Sequence, residues 1–328
     1  MQAREGSVPL GDQEVTRVAM VGAGNMAVEH LRAFRSMSSA DVVGICSRTR
    51  SKLETVAGEW EIPIVVDSIA ELYDQTQADL VVIAVSIPSM KSAIEHALQY
   101  PWVQLVEKPP GLDYLQARSL CEGVEKSGRS VLVGLNRRCY STTQGVLREI
   151  HNTHGPRFVA VQDQESALSA RDAGHDDLVV ANWMYANSIH LIDYFSIFCR
   201  GEIEELTVSQ PWRESETFVV LAHIQYSSGD FGLYQAVWNG PGPWSVSINA
   251  DDLRWELRPL ERGQRLEKNS RTPVEMEIHP WDENYKAGLR LQAEEAIRFV
   301  RSGECLCATL AEAMKTVELT SRIYGMKS

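Results

Sequence analysis

Arg17-Val-Ala-Met-Val-Gly-Ala-Gly-Asn-Met-Ala27 reads as a buried strand that runs into a glycine turn and opens a helix. Val18 to Val21 are apolar, and Glu29-His-Leu-Arg-Ala-Phe34 continues as an amphipathic helix. The arrangement suits a pyrophosphate. Gly22 allows the tight turn, Gly24 lets backbone N–H groups approach the phosphates with no Cβ in the way, and Ala27 lets the helix pack closely on the strand. Asn25 and Met26 open the helix, whose N-terminus adds partial positive charge.

Outward from this turn, apolar runs of strand length alternate with helix-length amphipathic segments up to about residue 135. The further strands are Val42 to Cys46, Ile64 to Val66, Leu80 to Val85, Val103 to Val106 and Val131 to Leu135. This rhythm predicts a Rossmann-type, doubly wound parallel sheet with its ligand crevice at the carboxyl ends of the strands. Beyond residue 155 the period becomes two, as in Phe158 to Gln162, Leu206 to Ser209, Phe218 to Tyr226, Phe231 to Trp238, Ser245 to Ala250 and Leu253 to Arg258. Those segments predict an open, mostly antiparallel sheet in an α+β domain. Helices are expected at Ser188 to Cys199, Glu283 to Arg301 and Leu310 to Tyr324, with a hairpin turn at Ser227-Ser-Gly-Asp230 and a loop at Asn239-Gly-Pro-Gly-Pro243 that could reach the crevice. The organisation is therefore a flexible tail over 1–15, a dinucleotide-binding domain over 16–137, and an α+β domain for substrate binding and oligomerisation over 138–328.

The 328-residue chain is long enough for two cores. Its formal net charge of −12, with no basic block, argues against nucleic acid and anionic membranes as partners. Met1 to Thr16 lacks an apolar core and reads as neither a signal peptide nor an anchor, which points to a cytoplasmic protein. The six cysteines are scattered, Cys305-Leu-Cys307 has the wrong spacing for a zinc knuckle, and His151 and His154 have no ligand cluster nearby, so reduced buried thiols and no metal are expected.

Three strand ends sharpen the reading. The fourth strand runs into Ala84-Val-Ser-Ile-Pro88, the fifth ends in Val106-Glu-Lys-Pro-Pro-Gly111, and the sixth in Gly134-Leu-Asn-Arg-Arg138. With the glycine turn, these resemble the glucose-fructose oxidoreductase / inositol dehydrogenase / MocA family of nicotinamide-dependent sugar enzymes, in order and spacing across the whole first domain. The resemblance implies that Pro88, Glu107 and Lys108 face the cofactor, that Lys108 stands between cofactor and substrate, and that the Lys-Pro bond is cis. A partly desolvated lysine there can exchange a proton with a sugar hydroxyl or stabilise oxyanion charge.

Asn182-Trp-Met-Tyr-Ala-Asn-Ser-Ile-His-Leu-Ile-Asp193 resembles the family's Asp-x-x-x-His-x-x-Asp helix, with His190 as the histidine and Asp193 as the final aspartate. Ala186 stands where the first aspartate is expected. Lys108 and His190 are thus the acid/base candidates, and Asp193 reads as a supporting or packing group. Tyr185 and Asn187 are candidate substrate contacts. Asn136 and Arg137 could bind sugar oxygens or an acidic substituent, or could link the domains by hydrogen bonds. Trp183, Trp212, Trp238 and Trp244 could stack on a sugar or a base, or fill the core.

The second strand ends Gly44-Ile-Cys-Ser-Arg-Thr-Arg-Ser-Lys52, with no carboxylate before Glu54 to bind ribose hydroxyls. Ser47 and Arg48, backed by Arg50 or Lys52, offer donors where a 2′-phosphate would sit, so NADP(H) is favoured and NAD(H) is possible. The expected activity is hydride transfer between nicotinamide and a secondary alcohol or ketone of a sugar, cyclitol or nucleotide-sugar. A lyase, epimerase or glycosidase that retains its cofactor, and a non-catalytic sensing regulator, are the alternatives. The resemblance also implies a homodimer or homotetramer.

Overall fold

Residue spacing along the first half yields strict alternation of strand and helix in the computed structural model, which describes residues 15–213, 216, 218–242 and 244–326. The sequence read as a tail falls, up to residue 14, outside the described residues. The first half runs β1 (Thr16–Val21), α1 (Asn25–Arg35), β2 (Ala40–Cys46), α2 (Arg50–Glu59), β3 (Ile64–Val66), α3 (Ile69–Thr76), β4 (Leu80–Ile83), α4 (Ile87–Ala97), β5 (Val103–Val106), α5 (Tyr114–Ser127) and β6 (Val131–Val133). Side-chain caps start some of these helices: Ser68 accepts from the Glu71 N–H and Asp113 from the Gln116 N–H. A 3-10 turn (Asn136–Cys139) and α6 (Ser141–Ile150) lead onward.

The second half comprises β7 (Arg157–Glu165), α7 (Ala167–Asp172), α8 (Asp177–Ala181), a π-helical turn (Met184–Ser188), α9 (Ile189–Phe198), β8 (Ile203–Gln210), β9 (Val219–Tyr226), β10 (Phe231–Trp238), β11 (Ser245–Ala250), β12 (Leu253–Leu257), β13 (Gly263–Glu267) and β14 (Val274–Glu275). It closes with α10 (Pro280–Asn284), α11 (Leu289–Ser302), β15 (Ala308–Thr309) and α12 (Leu310–Tyr324).

Among the described residues the strands form two sheets. The first has the order β15-β6-β5-β4-β1-β2-β3, with β1 to β6 parallel and β15 antiparallel on β6. The strand order reverses between β1 and β4, which opens the crevice at their carboxyl ends. The second has the order β14-β13-β12-β11-β7-β10-β9-β8 and is antiparallel except for the parallel pair β7 and β10. A Rossmann sheet followed by a mostly antiparallel sheet is the architecture the two periodicities predict.

The apolar α9 lies buried against β7 and α12. Its neighbour in the expected scheme, one helix from Glu283 to Arg301, is instead two, because Gly288 takes φ +74° between them. A Cβ at Gly288 would meet the Asn136 carbonyl oxygen at 2.2 Å, so this backbone seats against the end of the first domain. The chain then returns to the first sheet. Leu289, Ala293, Ala296, Ile297 and Cys307 share one core with Val18, Met20, Leu31 and Phe34. All six cysteines are free thiols, but Cys121, Cys199 and Cys305 are only partly buried, against the expectation of burial throughout: Cys121 is off the buried face of α5, Cys199 caps α9, and Cys305 lies in the loop between α11 and β15. No helix among the described residues is long and apolar enough to cross a membrane.

Candidate active site

The crevice begins at the glycine turn. Gly22 has φ +116°, and a Cβ there would lie 2.2 Å from the Ala84 carbonyl oxygen, so only glycine lets β1 turn beside the end of β4. At Gly24 a Cβ would meet nothing within 4 Å. Gly24 and Asn25 are exposed, Met26 is half-buried, and the first turn of α1 carries no acid and no side-chain cap. Free N–H groups face open space at the positive end of a helix, which fits an anionic pyrophosphate.

At the end of β2, Ser47 is half-buried and Arg48 exposed, and Arg48 donates to Ser89 Oγ at 2.7 Å across the crevice. Ser89 belongs to the first turn of α4, beside the exposed Pro88. Arg50, which the sequence places behind Arg48, is instead held by Glu54 at 2.7 Å and Asp67 at 2.9 Å. Of the two arginines at this strand end, Arg48 is the one that reaches across the crevice, and Lys52 is exposed on α2.

β5 delivers Glu107 and Lys108, and the Lys108–Pro109 bond is cis, as the family resemblance implied. Glu107 turns inward to His30 of α1, with Nε2 and Oε1 2.8 Å apart. Burial opposes its charge, but His30 and Lys108 outweigh that and hold the carboxyl below its ordinary range. Lys108 is partly buried and donates from Nζ to the Ala186 carbonyl at 2.7 Å. Burial, helped by Arg137 and Lys286, pulls its ammonium down to about 8 against the pull of Glu107 and Glu165.

The second domain meets Lys108 through the π-turn, in which the Ile189 N–H reaches back to the Met184 carbonyl. His190 follows in α9, 5% exposed, with Nδ1 buried and unpartnered. Burial and then the charges of Arg137, Lys108 and Lys286 keep this imidazole well below its ordinary pKa, so it is neutral. Arg137 stacks its guanidinium on Trp244, 4.6 Å from the ring centroid. Asn187 gives its amide to Glu165, at 3.1 and 2.9 Å to the two carboxylate oxygens. A cavity of about 410 Å³ opens here, walled by Glu165, His175, Trp183, Asn187, Gly242 and Trp244.

Two expected contacts are placed elsewhere. Asn136 donates its amide to the Ala287 carbonyl at 2.9 Å, the linking arrangement rather than an open one. Tyr185 is 1% exposed with its hydroxyl near Ser321 and Tyr114, because the wide π-turn rotates it into the core between α5 and α12. The tryptophans divide likewise: Trp183 and Trp244 line the cavity, whereas Trp212 and Trp238 cluster with Tyr324. Asp193 receives Arg138 through two hydrogen bonds of 2.8 Å and Thr316 through a third, which makes it a packing group.

Glu165 and Lys286 were not anticipated. The signal for Glu165 lay in β7, where period two puts Asp163 and Glu165 on the same inward face as Val159 and Val161. Acids on a core-facing register mark a polar site.

The model of the oxidoreductase family with an NAD-binding Rossmann fold matches residues 16–135. D-apiose dehydrogenase of Paraburkholderia graminis is 28% identical over 134 residues, 41% of this chain and 36% of that protein, so the chain matches about a third of its relative's length. A dehydrogenase from Chromobacterium violaceum superposes with a TM-score of 0.80 at 19% identity, over 94% of each chain. An oxidoreductase from Agrobacterium radiobacter, solved with NAD+, L-tartaric acid and magnesium, gives a TM-score of 0.75 at 18% identity, over 95% of this chain and 96% of the other.

Proposed function

Since this chain belongs, through residues 16–135, to the glucose-fructose oxidoreductase / inositol dehydrogenase / MocA oxidoreductases, we propose that it is an NAD(P)-dependent dehydrogenase. Its substrate is a secondary alcohol, or the matching ketone, of a sugar, cyclitol or nucleotide-sugar. The observation that carries this reading is the convergence of Lys108, hydrogen-bonded to the Ala186 carbonyl, with His190 of α9, whose imidazole feels the Lys108 charge; the cavity wall reaches them through Asn187.

Gly22, Gly24, Asn25 and Met26 hold the pyrophosphate, Ser47 and Arg48 the adenosine ribose, and Pro88 and Lys108 border the nicotinamide, while Glu107, expected to face the cofactor, instead turns its carboxylate inward to His30 and supports Lys108 from behind. When bound, the nicotinamide accepts or returns a hydride. Lys108, as the free amine, takes the hydroxyl proton while the adjacent carbon loses hydride, and as ammonium it returns that proton in reduction. His190, held neutral, can donate to or accept from the same oxygen. Arg137 and Asn187 fix the rest of the substrate, and the faces of Trp183 and Trp244 suit a sugar ring.

NADP(H) is the preferred cofactor on this reading. Support comes from a β2 end without a carboxylate and from Arg48, which shares only a neutral hydroxyl. Titration with NADPH and NADH, followed by nicotinamide fluorescence, tests it: Arg48→Ala should weaken NADPH about tenfold or more and NADH little. Equal loss for both cofactors would overturn the preference, and no binding of either would sink the dehydrogenase reading.

A further inference from the structure

The side chain at position 186 is a methyl group, yet Lys108 is still held there, by the backbone. Its Nζ donates to the Ala186 carbonyl, whose carbon is bonded to the nitrogen of Asn187. The π-turn carrying that peptide is gripped by one carboxylate. Glu165 accepts from Trp183 Nε1 at 2.6 Å just before the turn and from Asn187 Nδ2 within it. We propose that Glu165 is a positioning residue for Lys108, clamping Trp183 and Asn187 so that the Ala186 carbonyl is presented to the amine.

This rests on the reading of Lys108 as the proton-transfer residue, but the clamp has its own logic. A rigid peptide dipole is a weaker partner for an ammonium than a carboxylate in direct contact. Lysine held by a carbonyl, with Glu165 farther off, releases its proton more readily than lysine paired to an aspartate. Glu165 is itself 1% exposed and anchored from below. Asp163 lies beside it on β7 and accepts from Tyr234 at 2.6 Å, and Tyr234 and Tyr324 hydroxyls are 2.8 Å apart. Burial first and then Asp163 push the Glu165 carboxyl well up. The ionisable groups around Lys108 are thus Glu107 after β5, Arg137 after β6, Glu165 on β7 and Lys286 before α11, with neutral His190 on α9.

The test is acetylation of Lys108 by acetic anhydride in the full chain, followed peptide by peptide against pH, without cofactor or substrate. The labelling midpoint reads the amine's proton affinity and the limiting rate reads its tethering. Glu165→Gln should move the midpoint down by roughly half a unit or more, since the ordered Ala186 acceptor is lost with the clamp, and should raise the limiting rate. Asn187→Ala leaves the Glu165 carboxyl in place and should raise the limiting rate as well. Glu165→Gln/Ala186→Asp should return the midpoint upward. A folded Glu165→Gln or Asn187→Ala protein that labels like the parent would overturn the proposal. Failure of the dehydrogenase reading shows separately, as absent nicotinamide binding.

Discussion

With Lys108 as the proposed proton-transfer residue, the pH behaviour of the reaction follows from its amine. Its amine must be uncharged to take a proton, and its pKa is drawn to about 8 by burial and neighbouring cations. Alcohol oxidation should therefore rise with pH and level off above that value, while ketone reduction, which needs the ammonium, should fall over the same interval. Lys108→Met should lower kcat for oxidation by about 10²–10⁴-fold, abolish this limb and leave NADPH titration nearly unchanged. Retention of the limb in the variant would assign it to another group. At this scale much of the site was legible, because Lys108 and His190 carry recognisable neighbours in sequence. Glu165 was not, because its role depends on β7 lying beside the π-turn, a contact between residues 22 apart that the sequence does not spell out. Tyr185 misled for a different reason: an aromatic ring among polar candidates can serve a site or a core, and here the core takes it.

The glycine turn separates two effects that motif reading merges. Gly22→Ala forces a side chain into φ +116° and onto the Ala84 carbonyl. It should cost roughly 2–5 kcal/mol in urea unfolding, as strain and overpacking together. Gly24→Ala places its methyl in open space and should cost no more than about 1 kcal/mol, as a weaker helix cap. Its loss should appear instead in dinucleotide affinity. If Gly24→Ala proves the more destabilising of the two, the assignment of fold and binding to separate glycines is wrong. Strands and helices were otherwise readable from period and punctuation. Those that escaped were short, such as β13, β14 and β15, or lay where the two rhythms meet, as α6 does, or concealed a break, as at Gly288, where the apolar spacing continues across a left-handed residue.

The whole molecule closes on itself. β15 adds to the open edge of the first sheet at β6, and α11 packs on α1, so the dinucleotide-binding half borrows part of its core from the chain's far end. A fragment spanning 15–137 should therefore melt without a cooperative transition, bind the dye ANS and show weak near-ultraviolet dichroism. Cooperative unfolding of that fragment would show that the borrowed residues are dispensable. This closure was beyond the sequence, since a two-residue strand has no periodicity to read and Leu289 to Ser302 carries no mark of which domain it serves. It also gives the order of synthesis a consequence. The nucleotide-binding half leaves the ribosome first, but the helix that covers Leu31 and Phe34 begins about 150 residues later, roughly 8–30 s at ordinary rates of translation. Throughout that interval the nascent chain carries an uncovered apolar face and an unpaired strand edge, the features that chaperones bind and that neighbouring nascent chains can capture.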